Sequence, residues 1–195
     1  MLDKGYIPKQ NRLFIIGPAG VGKSTCGPIL AKKLRFSFTD LDKEFINANG
    51  DVELFVKQNG YLNYCQKNTS LFFKLVEEQK SGIVYAISSG FLMYEQIDSS
   101  FSNNAKVLFE LGISVLLLPS QSLEISKNIV ITRVLKRRPW LNAEREEKKF
   151  LERYTKYRKY GEIKIFSTES PNTIAEKIKI EYLDYIAKNP NSLSQ

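Results

Sequence analysis

Eight consecutive residues, Gly17-Pro18-Ala19-Gly20-Val21-Gly22-Lys23-Ser24, constrain this chain more than any other feature. Their spacing is GxxxxGK[ST], they follow the apolar run 13–16, and they lead into a segment with Cys26, Leu30 and Leu34 at helical spacing. Strand, glycine loop and helix in that order form a phosphate cradle. The glycines let backbone N–H groups turn inward, the helix N-terminus adds its positive end, the lysine reaches the terminal phosphates, and the serine hydroxyl meets a magnesium ion. The expected phosphate contacts are therefore Gly17, Gly20, Val21, Gly22, Lys23, Ser24 and Thr25, holding a nucleotide with Mg2+; the loop alone does not separate kinases from GTPases or motor ATPases. By chance the spacing arises in roughly one chain of this size in a hundred.

Around this loop the pattern alternates. Strands are expected at 13–16, 36–38, 83–87, 113–118 and 163–166. A helical stripe runs through Tyr61, Cys65, Phe72, Leu75 and Val76, and shorter helical pieces break at Gly50 and Gly60. Ser170-Pro171 supplies an N-cap and an N1 proline for a last helix striped by Ile174, Ile178 and Tyr182. Five strands interleaved with helices make an α/β fold, a five-stranded parallel sheet with helices on both faces. At 195 residues this is one domain. The first eleven residues and residues 189–195 read as loose tails. Pro28, early in the helix after the loop, has no functional reading.

Composition removes whole classes of chemistry. The chain has no histidine, which excludes Ser-His-Asp and Cys-His nucleophiles and histidine-ligated zinc. Cys26 and Cys65 are too few for a disulfide framework or a four-cysteine metal site, and a reducing compartment fits them. No apolar run reaches the roughly 18 residues of a membrane span, and the expectation is a cytoplasmic protein without a membrane partner. The net charge of +8 raises the question of nucleic acid, but no nucleic-acid-binding motif accompanies it. A phosphorylated small-molecule ligand, met by a local basic site, is the expected partner, with the protein a monomer.

A phosphate loop needs a carboxylate to complete its magnesium site. Strand 83–87 runs into Ser88-Ser89-Gly90 and strand 113–118 into Pro119-Ser120, so neither supplies one. Asp40 remains. It ends the second strand, expected beside the first, within reach of Ser24 through a water. Asp42, two residues on, is placed to orient the proton of an attacking hydroxyl. The same Asp-Leu-Asp also suits a helix N-cap with a first-turn acid, a role that needs no ligand.

On these residues the chain resembles the shikimate kinase family, over roughly residues 13–187. The resemblance rests on GPAGVGKST, on Asp40 and Asp42 beginning sixteen residues after Ser24, on the turn after the third strand, on Arg138-Pro139-Trp140-Leu141, and on Arg153 with Tyr157 four residues later. It implies a P-loop kinase fold with a small lid at 134–147, and transfer of the ATP γ-phosphoryl to a hydroxyl of shikimate or a similar small anionic polyol, a step of aromatic amino acid biosynthesis. It implies Lys23, Asp42 and Arg138 as catalytic residues and Ser24 and Asp40 as magnesium ligands. Arg133 would stack on adenine, and Asp42, Ser89, Gly90 and Arg153 would hold the acceptor. Two motifs depart from the family. The Phe-Arg pair that holds the acceptor carboxylate reads Tyr64-Cys65, with Lys67 the nearest candidate replacement cation, and the Gly-Gly-Gly turn reads Ser88-Ser89-Gly90. Cys65 itself reads as a small core residue on its helix stripe.

These departures leave rivals open. One is a kinase of another sugar acid or polyol on the same scaffold. Another is a catalytically silent relative that binds nucleotide or a protein.

Overall fold

The structure, a computed structural model, describes residues 8–79 and 82–190. Its centre is a parallel sheet of β1 (Arg12–Ile16), β2 (Ser37–Asp40), β3 (Ile83–Ala86), β4 (Ile113–Leu118) and β5 (Ile163–Phe166), in the order β2-β3-β1-β4-β5. Every residue of β3 and β4 is buried, as is β1 after Arg12, the signature of strands covered on both faces.

Between the strands lie α1 (Lys23–Leu34), α2 (Leu41–Asn49), α3 (Val52–Asn59), α4 (Tyr61–Glu78), α5 (Asn104–Leu111), α6 (Leu123–Arg137), α7 (Ala143–Tyr157) and α8 (Pro171–Lys188). Strand register assigns the faces. Phe38, Val84 and Leu13 are paired in register and share one side, and Gly27 of α1 sits so close to the Phe38 ring that a methyl group would lie 2.2 Å from it. Phe14 and Tyr85 point to the other side, where Phe72 of α4 meets both rings at 5.7 and 6.4 Å. The aromatic residues of α4 thus cover one face while α1 and α8 cover the other.

Local chemistry sets the helix boundaries. Asp40, Asp51, Ser122, Asn142 and Ser170 each accept a backbone N–H as N-caps, and Pro171 follows its cap at N1. Gly50 and Gly60 end α2 and α3 with positive φ. α1 continues through Pro28, which is exposed, and nothing in the structure explains the proline.

One expectation changes. The second strand is not beside the first, because β3 lies between them and Asp40 pairs with Ala86. Alternation of strands and helices specifies a parallel sheet but not its strand order, so sequence pattern alone does not decide this. The lid expected at 134–147 consists of the last turn of α6, the connection 138–142 and the first turn of α7. Most of the expected tails lie outside the described residues, but 8–11 are held: Tyr182 Oη donates to the Gln10 carbonyl at 2.6 Å and Lys9 pairs with Glu162 at 2.7 Å. Among the described residues no helix is long and apolar enough to cross a membrane.

Candidate active site

A cleft of about 490 Å3 opens at the C-terminal ends of β1, β2 and β3, where ligands of open α/β sheets bind. Its floor includes Ala19, Gly20 and Gly22 of the loop 17–22. Gly17 has φ +143°, and a Cβ there would sit 2.6 Å from the Leu117 carbonyl oxygen; Gly20 has φ +82°, and its Cβ would meet Val134 at 2.9 Å. The loop can follow this path, close against β4 and α6, only with glycine at both points. The helix behind it begins at Lys23, with Thr25 and Cys26 N–H groups bonded back to the Gly22 carbonyl. Its first backbone donors lack partners within the helix.

Lys23 is 8 % exposed and donates to the carbonyls of Gly17 and Pro18 at 2.7 and 2.9 Å, bridging the start of its own loop. Burial lowers its pKa to about 8, opposed by the negative charges of Asp42 and Asp40. Ser24 and Thr25 line the cleft and are exposed to it. Gly17 and Val21 do not line it, and the Val21 side chain is buried in the core.

Asp40 is 5 % exposed, and its Oδ1 accepts from the Asp42 and Lys43 N–H groups at 3.1 and 3.3 Å. The helix-cap reading of the pair is thus correct, and both acids also line the cleft. Asp42 is half-buried. It exerts the largest opposing charge effect on Lys23 and also raises the pKa of the buried Tyr64 phenol.

On the far wall, Arg153 of α7 donates to Ser89 Oγ at 3.0 Å, and Tyr157, fully buried one turn later, donates to the Ser89 carbonyl at 3.2 Å. Two long-range bonds thus fix the turn after β3; the Arg153 bond depends on the Ser89 hydroxyl, whereas the Tyr157 bond goes to backbone that a glycine would supply equally. Ser88 is buried, its Oγ accepting from Asn68 Nδ2 at 3.3 Å, while Ser89 and Gly90 face the cleft. Cys65 is fully buried and burial pushes its thiol up to about 12, an inert core thiol. Lys67 is exposed and does not line the cleft, so it does not replace the missing cation.

Arg138, in the segment expected to form a lid, lines the cleft and pairs at 3.4 Å with Glu53 of α3, both more than half exposed. Beside it Trp140 is 71 % exposed. Arg133 does not line the cleft; Arg137, one turn later, does, and its charge reaches Lys23. Tyr61 also lines the cleft, 38 % exposed. Sequence reasoning placed it on the core stripe with Cys65. The signal that separates them is position: Tyr61 is the first residue of its helix, directly after the Gly60 turn, and the core begins a turn further on.

A model of the shikimate kinase family matches residues 19–183. A shikimate kinase of Pseudoalteromonas translucida is 30 % identical over 184 residues, covering 91 % of this chain and 99 % of that protein. Shikimate kinase 1 of Hamiltonella defensa is 34 % identical over 179 residues, covering 88 % and 95 %. Among solved structures, a shikimate kinase from Acinetobacter baumannii in complex with shikimate superposes with a TM-score of 0.74 at 23 % identity, covering 93 % of this chain and 96 % of that one. The Aquifex aeolicus shikimate kinase gives 0.66 at 20 % identity, covering 90 % and 98 %. These structures share the fold.

Proposed function

The chain belongs to the shikimate kinase family and is a small-molecule kinase, and from that premise we propose that it transfers the γ-phosphoryl group of ATP to a hydroxyl of shikimate. The observation that carries this reading is one cleft in which a phosphate loop, a carboxylate at Asp42 and an arginine at Arg153 face one another.

In this reading the loop amides and Lys23 bind the phosphates, and Lys23 and Arg138 offset the negative charge that develops during transfer. Asp42 accepts the hydrogen bond of the attacking hydroxyl and orients its lone pair toward the phosphoryl group. Arg153, held by Ser89, binds the acceptor carboxylate. Arg137 is a better candidate than Arg133 to flank the base, since it reaches the cleft. The donor set suits magnesium, a hard cation that accepts oxygen ligands and keeps several waters. Ser24 and Asp40 would hold it, and it would neutralise phosphate charge. Among the described residues no group of three or more Asp, Glu, Cys or His side chains could hold a metal alone, so the phosphates would complete the site.

Purified protein incubated with Mg-ATP and shikimate should yield a phosphorylated acid and ADP in equal amounts, read by mass spectrometry and a coupled assay. A well-folded protein that binds Mg-ATP yet leaves shikimate unmodified overturns the assignment. A second reading, a kinase of another small hydroxy acid, is favoured by the neutral, buried Cys65, which leaves the wall one cation short. The same assay with a panel of sugar acids tests it.

A further inference from the structure

The acceptor wall holds one arginine with an unusual set of neighbours. Among the described residues Arg153 makes no ion pair, whereas Arg138 and Lys149 in the same cleft are paired with Glu53 and Glu146. Its hydrogen bond goes to a neutral hydroxyl, Ser89 Oγ. The second neighbour is Tyr61. The Tyr61 hydroxyl and Arg153 Nη2 lie 3.1 and 3.5 Å from the point where a Cβ on Gly90 would sit, so both groups crowd one small volume that only glycine leaves open.

The Tyr61 ring is held from below. It stacks on the buried Tyr64 at 5.7 Å and 25°, and meets Tyr94 edge-on at 6.4 Å. Its hydroxyl lies beside Arg153 at Gly90, and the fully buried Cys65 sits one turn along the same helix. A guanidinium only donates, so the phenol oxygen can accept from Arg153, which leaves the phenol proton for an incoming group, since the Cys65 thiol is only a weak acceptor. A carboxylate arriving at Arg153 is a far better acceptor. It would collect the guanidinium and the phenol proton together.

We propose that Tyr61 is a specificity-determining residue for the acceptor: with Arg153 it forms a clamp of one cation and one neutral donor that selects ring acids carrying a single carboxylate. The proposal rests on the reading of this wall as the acceptor site of a kinase. One guanidinium neutralises one carboxylate, and the phenol adds a hydrogen bond without adding charge. A dianion gains no second cation from this clamp, and Asp42 lines the same cleft, which disfavours it.

The test is Tyr61→Phe, which keeps the stacked ring and removes only the hydroxyl, with thermal melts to establish that the variant folds. Two probes are used: 1-cyclohexenecarboxylate, a ring acid with no hydroxyl to phosphorylate, titrated by NMR, and shikimate in steady-state assays with Mg-ATP. The variant should bind the ring acid and shikimate about tenfold more weakly, with kcat within twofold and the KM for ATP unchanged. The uncharged cyclohexenecarboxamide should bind both proteins alike. Equal affinity of wild type and variant for the ring acid, or no binding of it to wild type at millimolar concentration, overturns the clamp. Shikimate turnover with a KM indifferent to Tyr61→Phe overturns it too, while leaving the kinase assignment intact. Tyr61-dependent binding of the ring acid by a wild type that does not phosphorylate shikimate supports the clamp and removes shikimate as the acceptor.

Discussion

The two walls of the cleft are built on different principles. The phosphate wall is one stretch of chain, residues 17–25, shaped by backbone: glycines at positive φ, the start of α1, and a lysine folded back on its own loop. The proposed acceptor wall collects Asp42, Tyr61, Ser89 and Arg153 from four distant segments, and side chains hold it in place. A backbone site binds what every nucleotide shares. A side-chain site can be rewritten residue by residue, and the departures from the family's motifs, at Cys65, Ser88 and Ser89, all fall on or behind this wall.

That difference should appear first in the size of mutational effects. Lys23→Ala should reduce phosphoryl transfer about a thousandfold whichever acceptor is supplied, because the lysine acts on the shared group. Rapid-quench or coupled assays check this; retention of more than a tenth of the activity would mean that the loop is not the transfer site.

Cys65→Arg should act on the fold rather than on the chemistry. Position 65 is fully buried beneath Tyr61, so the guanidinium would enter without a carboxylate partner. A loss of about 3 kcal/mol follows, lowering Tm by roughly 10 °C in a domain of this size. A stable variant with a lower shikimate KM would show instead that an anion can sit at that position and that Tyr61 yields to it.

The smallest effect couples the walls. Lys23 titrates at about 8 when buried, against an ordinary value of 10.5, because burial penalises the charged form. Transfer needs that charge, so kcat/KM for ATP should fall as pH rises through about 8, approaching tenfold per unit beyond it. The stability sign is opposite: the buried charge costs most below pH 8, and the cost is relieved between 8 and 10.5. Asp42 opposes the shift from across the cleft. Asp42→Asn should therefore move the alkaline limb to lower pH, and an unmoved limb would show that the walls do not sense each other.

How much of this was legible in the sequence follows the same division. The phosphate loop could be read almost whole, since its geometry is encoded in eight neighbouring residues. Only the Val21 side chain turned out to face the core, and Gly17 to lie under the loop. The five strands and the Ser170 cap were legible because their signals are local too. The acceptor wall was not. Tyr61 and Cys65 are one helical turn apart and satisfy the same apolar stripe, yet one stands at the cleft beside Gly90 and Arg153 and the other is fully buried in the core, a distinction made by tertiary packing. The choice between Arg133 and Arg137 is again one turn of helix, decided by how α6 lies against the loop.

The insertion of β3 between β1 and β2 has a metric consequence. Parallel strands lie about 4.8 Å apart, so the tips that carry the phosphate loop and Asp40 stand roughly 10 Å from each other. That interval is a ruler ruled in backbone hydrogen bonds. Substitutions on either wall can change what is held at each end of it, but the span a phosphoryl group and its acceptor must share is set by the sheet.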